Sequence, residues 1–300
     1  MPVIVKPLLP EQGEEALSFI QPYEFECVNL ASELLRGGTD SWALYYADQE
    51  ASQTKTLAGL IALRKKRSLF FCLPFAKYKS AFDKKVCSEA QRPLMDFFES
   101  NEPFCVNGEA AGAVFLRNIL KNKKTPMRPS VTNKYFLMAR DGEAFHAQDV
   151  GGGSGLAKDL RVAQAAAADY ESLLPLELGY QREEVVPKSF DISDAALAAA
   201  FKHELEQGLT FALFDGGRPI AKARLAASGQ RYCMLGGVYT IPSERKKGRA
   251  ALLVSQIIAR SQAHGVNNFC LYAKQENAAA LALYKSLGFT PRGEYMLVYY

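Results

Sequence analysis

The chain has 300 residues, of which 48% are hydrophobic, enough apolar content for one large or two ordinary domains. Its formal net charge is +4, from 36 Lys and Arg against 32 Asp and Glu, which argues against nucleic-acid binding. The N-terminus lacks a secretory pattern and no apolar run reaches membrane-spanning length, so we expect a cytoplasmic protein without a membrane partner.

The first half predicts one strand at residues 3–9 and a helical stretch at 11–36 that is broken near Pro22. Strands are predicted at 42–47, 57–63 and 69–74, a helix at 84–100, and a short strand at 104–106. A helix at 110–122 and a strand at 132–139 complete this half. The order is strand, helix, three strands, helix, strand, helix, strand.

Next comes the run Gly151-Gly152-Gly153-Ser154-Gly155. A glycine run can cradle phosphate, but no apolar strand leads directly into this one, and its composition is typical of a linker. We therefore predict a domain boundary near residues 145–155, with domains at 1–150 and 151–300.

The second half predicts the same order of elements. The predicted strands are at 160–164, 210–214, 219–226, 232–241, 267–274 and 290–300, and Asp215-Gly216-Gly217 favours a tight hairpin. Helices are predicted at 166–174, 192–207, 250–264 and 277–287, whereas the proline-bounded stretch 175–187 is predicted to be irregular.

The segment after the strand at 232–241 is the most informative one. Pro242 ends that strand, and Arg245-Lys246-Lys247-Gly248-Arg249-Ala250 carries four cations in six residues before a helix. First-turn N–H groups of a helix have no internal partner and carry the positive end of its dipole, so they favour an anion such as a pyrophosphate. Cations there oppose the dipole, an unfavourable placement that argues for a bound anion.

The pattern Arg-x-x-Gly-x-Ala at Arg245, Gly248 and Ala250 resembles the acetyl-CoA pyrophosphate loop of the GNAT (GCN5-related N-acetyltransferase) superfamily. A second run, from Asn277 through Ala280 and Tyr284 to Gly288-Phe289, resembles the same family's Asn-x-x-Ala-x-x-x-Tyr-x-x-x-Gly-Phe. The resemblance covers about residues 160–300. It implies an α/β (α+β) fold whose mixed, largely antiparallel, splayed sheet is flanked by helices.

The resemblance also implies roles for individual residues. The N–H groups of residues 246–251 would hold the pyrophosphate, and the strand at Val238 to Thr240 would pair with the pantetheine arm. A backbone N–H at Val238 or Tyr239 would stabilise the oxyanion, and Tyr284 would be the general acid. The implied cofactor-binding residues are Val238, Tyr239, Thr240, Arg245, Lys246, Lys247, Gly248, Arg249, Ala250, Ala251, Asn277, Ala280 and Tyr284.

Two of these residues also have simpler interpretations. Tyr284 has the helical spacing of a core tyrosine, and Asn277 is a common N-cap residue. The general base is not identified, because Glu177, Glu183 and Glu184 have the character of solvated surface carboxylates. Tyr180 and Tyr232 are candidates for the acceptor pocket.

The first half fits a second, degenerate copy of the GNAT-type fold. It has no Arg-x-x-Gly-x-Gly/Ala turn before its helix at 84–100, so we do not expect it to bind acetyl-CoA. A homodimer is possible, and the first half could form its contact surface or wall off the acceptor pocket.

The sequence thus predicts an acetyl-CoA-dependent N-acetyltransferase in which a primary amine, from a small molecule or a peptide, attacks directly in a ternary complex. Two alternatives stay open: a non-catalytic acyl-CoA-binding sensor, and an aminoacyl transferase, since peptidoglycan-linking transferases also pair two GNAT-like halves. No metal is expected, because the three histidines share no motif. The six cysteines are far apart and read as buried free thiols.

Overall fold

The structure is a computed structural model that describes residues 3–37, 40–47, 55–65, 67–142, 159–187 and 189–300. The predicted linker at 151–155 and the predicted boundary near 145–155 lie outside these residues. Within the described ranges, no helix is long and apolar enough to cross a membrane.

The described strands form one sheet of twelve, in the order β1-β2-β3-β4-β5-β12-β6-β11-β10-β9-β8-β7. Neighbours are antiparallel except for two parallel pairs, β4 with β5 and β10 with β11. The strands are β1 Val3–Pro7, β2 Ser41–Ala47, β3 Lys55–Arg64, β4 Ser68–Cys72, β5 Cys105–Glu109, β6 Val131–Arg140, β7 Leu160–Gln164, β8 Thr210–Asp215, β9 Arg218–Ser228, β10 Tyr232–Thr240, β11 Asn268–Lys274 and β12 Thr290–Tyr299.

Helices flank this sheet. They are α1 Gly13–Ile20, α2 Val28–Leu35, α3 Ala81–Phe98, α4 Ala110–Asn122, α5 Tyr170–Tyr180, α6 Asp194–Glu206, α7 Arg249–Ala263 and α8 Ala278–Ser286. Each half runs strand, two helices, three strands, helix, strand, helix, strand. The predicted fold class, a mixed and largely antiparallel sheet flanked by helices, is confirmed.

The two halves exchange their last strands. β6 ends the first half but pairs with β11 of the second half, whereas β12 ends the second half and pairs with β5 of the first. Between these contacts, β6 and β12 pair with each other from Thr290 opposite Ala139 to Tyr299 opposite Val131. Each half therefore completes its sheet with a strand of the other.

The two largest cores reflect this exchange. The first-half core packs α3 and α4 on the sheet and includes Met296 and Val298 of β12. The second-half core packs α7 and α8 on the sheet and includes Met138 of β6. Burial of these apolar side chains stabilises both halves together, because neither core is complete without the other half.

The structure contradicts the prediction that residues 175–187 are irregular. α5 continues through Pro175 to Tyr180, and a π-helical segment follows at Gln181–Val185. Proline removes one helical hydrogen bond, which usually ends a helix. Here Leu173 and Leu176 are buried beside Pro175, and this packing outweighs the local penalty.

The predicted burial of the cysteines is confirmed. All six are buried free thiols: Cys27, Cys72, Cys87, Cys105, Cys233 and Cys270. Desolvation raises the pKa of several of them, including Cys270, which keeps these thiols protonated.

Candidate active site

The site begins where β10 leaves its parallel neighbour. β10 pairs with β11 only from Tyr232 to Met234, opposite Asn268 to Cys270. β10 itself continues to Thr240, so its second part faces a gap instead of a ladder partner on that side. Unpaired backbone groups of a strand can accept an added peptide-like segment.

The register on the other side of β10 shows which backbone groups face this gap. The Ile241 N–H donates to the Ile220 carbonyl at 3.0 Å, and Tyr239 lies opposite Lys222. Alternate residues of an antiparallel strand point their backbone groups to opposite sides. The Tyr239 groups therefore face β9, whereas the Val238 carbonyl and the Thr240 N–H face the gap.

The turn after β10 is open at its centre. Gly248 has a φ of +72° and is the N-cap of α7, where it offers no side chain to the first-turn N–H groups. A Cβ placed on Gly248 would meet nothing within 4 Å. Lys246 also has a positive φ, +62°, which a lysine rarely adopts. This geometry leaves room for an anion beside the positive end of the α7 dipole.

Two carboxylates pair with three of the four cations in this turn. Arg245 binds Glu183 at 2.8 Å, while Lys247 and Arg249 bind Glu244 at 2.8 and 3.1 Å. The contacts from Lys247 and Arg249 lower the pKa of Glu244. Because Lys247 and Arg249 share one carboxylate, the turn keeps a net positive charge, but the three paired cations do not by themselves require a bound anion, so the case for an anion depends mainly on the N–H groups.

A cavity of about 220 Å³ lies beside the gap. Gly236, Gly237 and Val238 of β10 form one wall, and Asn277, Ala280 and Tyr284 form another. The structure thus brings together four of the predicted site residues, Val238, Asn277, Ala280 and Tyr284, around one space. The turn residues Arg245 to Ala251 do not line this cavity.

Tyr284 is 8% exposed and packs edge-on against Phe289, with ring centroids 6.0 Å apart. It both packs in the core and lines the cavity. Burial, with a smaller contribution from the Glu184 charge, raises the pKa of Tyr284. The phenol is therefore held in its protonated, proton-donating form.

Asn277 combines two functions at this wall. Its Oδ1 accepts a hydrogen bond from the Ala280 N–H at 3.0 Å, so it is the N-cap of α8. Its Nδ2 donates to Glu184 Oε1 at 3.4 Å. The helix cap thereby orients a carboxylate that also lines the cavity.

The three glutamates treated as surface residues in the sequence differ in their environments. Glu177 is 3% exposed and pairs with Lys222, so the surface interpretation is wrong for it. Glu183 accepts a hydrogen bond from the Tyr239 hydroxyl at 2.9 Å, and Glu184 contacts Lys274 at 3.3 Å in the cavity. The helical spacing of these three glutamates could have indicated that they lie on one helix. The prediction of an irregular segment at 175–187 hid this signal.

Several tyrosines complete the cavity. Tyr180 lines it, whereas Tyr232 lies elsewhere and donates to Asp141 at 2.5 Å, where burial and Asp141 raise its pKa to about 12. The sequence did not indicate three further lining tyrosines, which come from strands β6, β11 and β12: Tyr135, Tyr272 and Tyr299. Two of these strands reach the cavity only through the strand exchange.

In the described ranges, no group of three His, Cys, Asp or Glu side chains is arranged to hold a metal ion.

Residues 171–289 match the sequence model of the Acetyltransferase (GNAT) family. This segment is a GNAT-family domain. It includes β10, the Gly248 turn and Tyr284, and its family supports an acyltransferase activity. A comparison with curated proteins finds no match.

Solved structures show the same fold over a longer stretch. A Drosophila protein superposes with a TM-score of 0.61 at 13% identity, covering 99% of this chain and 98% of its own. A GCN5-related N-acetyltransferase from Sphaerobacter thermophilus has a TM-score of 0.55 at 14% identity, covering 99% and 95%. The chain spans 65% of a putative GNAT acetyltransferase from Novosphingobium aromaticivorans, at 22% identity, 57% coverage of this chain and a TM-score of 0.41. The first two superpositions show that residues 171–289 are part of a fold that extends over both halves.

Proposed function

We propose that this protein is an acetyl-CoA-dependent N-acetyltransferase that transfers the acetyl group to a primary amine by direct attack in a ternary complex. The observation that carries the proposal is that the unpaired part of β10 borders a cavity lined by Tyr284 and Glu184. The open Gly248 turn lies at the end of the same strand.

The chain offers separate contacts for the parts of acetyl-CoA. Backbone N–H groups from Lys246 to Ala251 would hold the pyrophosphate, with Lys246, the cation without a carboxylate partner among the described residues, beside them. The Val238 carbonyl and the Thr240 N–H would pair with the pantetheine amides. The empty space beside Gly248 fits the pyrophosphate, because no side chain lies within 4 Å of the position that a Cβ would take.

The same residues account for acyl transfer. When bound, acetyl-CoA supplies an activated thioester. The Val238 N–H would donate to the carbonyl oxygen as negative charge develops, which is more effective in a site that excludes water. Tyr284 would protonate the leaving thiolate, and Glu184 would accept a proton from the amine, directly or through water.

Glu184 is proposed here as the proton acceptor because it is the one of the three glutamates that lines the cavity. Replacing Glu184 by Gln should lower kcat by about 10- to 100-fold while leaving acetyl-CoA affinity unchanged. An unchanged kcat, measured by release of free thiol, would remove Glu184 from this role.

We also infer that residues 1–150 form a GNAT-like domain without a CoA site and that residues 151–300 form the catalytic domain. The shared element order and the two parallel pairs, β4 with β5 and β10 with β11, support this inference. Limited proteolysis tests this boundary, because we expect the first cut within residues 143–158. A first cut elsewhere, with that segment intact, would contradict the proposed boundary.

Thiol release from acetyl-CoA, measured with a panel of small amines, polyamines and peptides, tests the activity. Turnover with at least one amine supports an enzyme, whereas binding of acetyl-CoA without turnover across the panel supports a sensor. The Gly248→Asp variant is the negative control, because it should not bind acetyl-CoA.

A further inference from the structure

Directly behind the cavity wall lies a buried ion pair. The Lys222 side chain is 1% exposed and the Glu177 side chain 3%, with Nζ and Oε2 2.5 Å apart. Lys222 belongs to β9 and Glu177 to α5, so the pair joins the sheet to the helix above it. Burial lowers the pKa of Lys222, and the neighbouring Glu177 carboxylate opposes this shift.

The Lys222 ammonium also contacts two parts of the cavity wall. It donates to the Gly237 carbonyl at 3.3 Å, and it lies 4.6 Å from the ring centroid of Tyr180. Gly237 and Tyr180 both line the cavity, whereas Lys222 does not. Lys222 therefore supports the wall from behind without reaching the reacting groups.

The Gly237 contact determines the orientation of a peptide group. β10 carries a bulge between Gly236 and Tyr239, and Gly237 within it has a φ of +61°. A peptide unit is planar and trans, so its C=O and N–H point in opposite directions. Because Lys222 binds the Gly237 carbonyl, the N–H of Val238 points away from the ammonium.

We propose that Lys222, held in place by Glu177, is a positioning residue that fixes the Gly237–Val238 peptide so that the Val238 N–H is available to the thioester oxygen. This inference rests on the proposed acetyltransferase function. Gly237 lacks a Cβ and has wide conformational freedom, so a group that holds its carbonyl restricts the orientation of this peptide. Tyr239 is not an alternative donor, since its N–H faces β9.

A purely structural role is the competing explanation. Buried ion pairs are often no more stabilising than apolar residues of similar volume, so a structural role predicts that an apolar replacement of both partners restores the protein. The first half contains another buried lysine for comparison, because the fully buried Lys123 side chain binds the half-exposed Glu102 at 2.6 Å. Lys123 contacts neither the Gly237 bulge nor the cavity at Tyr284.

The test compares Lys222→Met, the double variant Lys222→Met with Glu177→Met, and the control Lys123→Met. For each protein, kcat and KM are measured by thiol release, the Kd of acetyl-CoA by calorimetry and the Tm by thermal unfolding. Lys222→Met should lower kcat about 10- to 100-fold while changing the Kd of acetyl-CoA less than about threefold, as expected when one transition-state donor is misplaced.

The double variant separates positioning from stability. Replacing both charges should recover most of the Tm lost in Lys222→Met, yet kcat should stay low, because no group holds the Gly237 carbonyl. Recovery of kcat together with Tm would overturn the proposal, and so would a kcat of Lys222→Met that matches Lys123→Met.

A readout that does not need turnover distinguishes failure of this inference from failure of the proposed function. In ¹⁵N-labelled protein, Lys222→Met should shift the amide resonance of Val238 and speed its hydrogen exchange, whereas Lys123→Met should leave both unchanged. An unmoved Val238 amide overturns the positioning role. Absence of acetyl-CoA binding by the unmodified chain would instead overturn the proposed function.

Discussion

The two halves of the molecule differ at one equivalent position, the end of the strand that pairs in parallel with its neighbour. In each half a parallel pair of strands is joined over three residue pairs, from Ser68 to Phe70 in β4 and from Tyr232 to Met234 in β10. β4 ends two residues later, at Cys72, whereas β10 continues to Thr240. Of the two described parallel pairs, therefore, only the one in the second half has a strand that continues for several residues beyond its parallel partner.

The helices that follow these two strands, α3 and α7, differ in how their first-turn N–H groups are satisfied. At the start of α3, the Asp83 N–H donates to Ser80 Oγ at 3.0 Å, and the Ser80 N–H donates to Asp83 Oδ2 at 2.9 Å. This capping box satisfies the helix internally. At the start of α7, Gly248 provides no such acceptor. The comparison shows that, in the same topology, the N-terminus of the helix can be capped by its own side chains or left uncapped for a ligand.

The gap of the first half is also filled. The Phe71 ring packs against Gly108 and Gly112, where any Cβ would clash with it. Phe71 thus occupies the space beside the diverging strands. We infer that the first half has become a structural partner that donates β6, and with it Tyr135, to the site of the second half.

Removing this filling side chain should have the largest effect on stability. Phe71→Ala should lower the free energy of unfolding by about 3–5 kcal/mol, because it leaves a cavity in the first-half core. It should not create a second acetyl-CoA site. Denaturant unfolding and calorimetry test both parts, and a second binding event would break the contrast between the halves.

Loss of the phenol should have the largest effect on catalysis. α4 contains no tyrosine, whereas α8 carries Tyr284 in the cavity wall. Tyr284→Phe should reduce kcat about 100-fold at an almost unchanged KM for acetyl-CoA, since the ring packing persists while the proton donor is lost. Steady-state thiol release measures both constants, and a kcat within threefold of the parent protein would contradict the role.

Removing the cap of the first half should have a smaller, purely structural effect. Ser80→Ala should destabilise the protein by about 1 kcal/mol, the usual contribution of a serine N-cap. Its acetyl-CoA affinity and kcat should match those of the parent protein. A change in either would show that the first turn takes part in the site.

The pH profile should show the smallest change. Burial raises the pKa of Tyr284, so its acid form persists above the pH at which an ordinary phenol ionises. The value of kcat/KM should therefore not fall between about pH 8 and about pH 10, although an unperturbed tyrosine, with a pKa near 10, would be half ionised at the upper end of that range. A loss in that range that disappears in Tyr284→Phe would contradict the assignment.

Local patterns in the sequence predicted much of this architecture. Apolar periodicity and turn residues gave nearly every strand and helix, and the segment from Arg245 to Ala250 indicated the open turn. These features are set by residues close together in the chain, so a single sequence carries them.

Non-local packing explains what the sequence did not reveal. Nothing in the composition of β6 or β12 indicates that each pairs with the other half, because strand partners are chosen across more than a hundred residues. The cavity tyrosines on these strands were missed for the same reason. Pro175 masked the helix that carries Glu177, because only its tertiary packing offsets the local signal.

The central claim is that the Gly248 turn binds the pyrophosphate and that its counterpart at Ser80 does not. Calorimetric titration with acetyl-CoA tests it in Gly248→Asp and Gly248→Asn, two side chains of similar size that both tolerate a positive φ. We predict one acetyl-CoA per chain for the parent protein, weakened binding in Gly248→Asn, whose side chain enters the same space, and none in Gly248→Asp, where the carboxylate also repels the phosphates. Equal affinity in Gly248→Asp and Gly248→Asn, or two acetyl-CoA molecules per chain, would contradict the account.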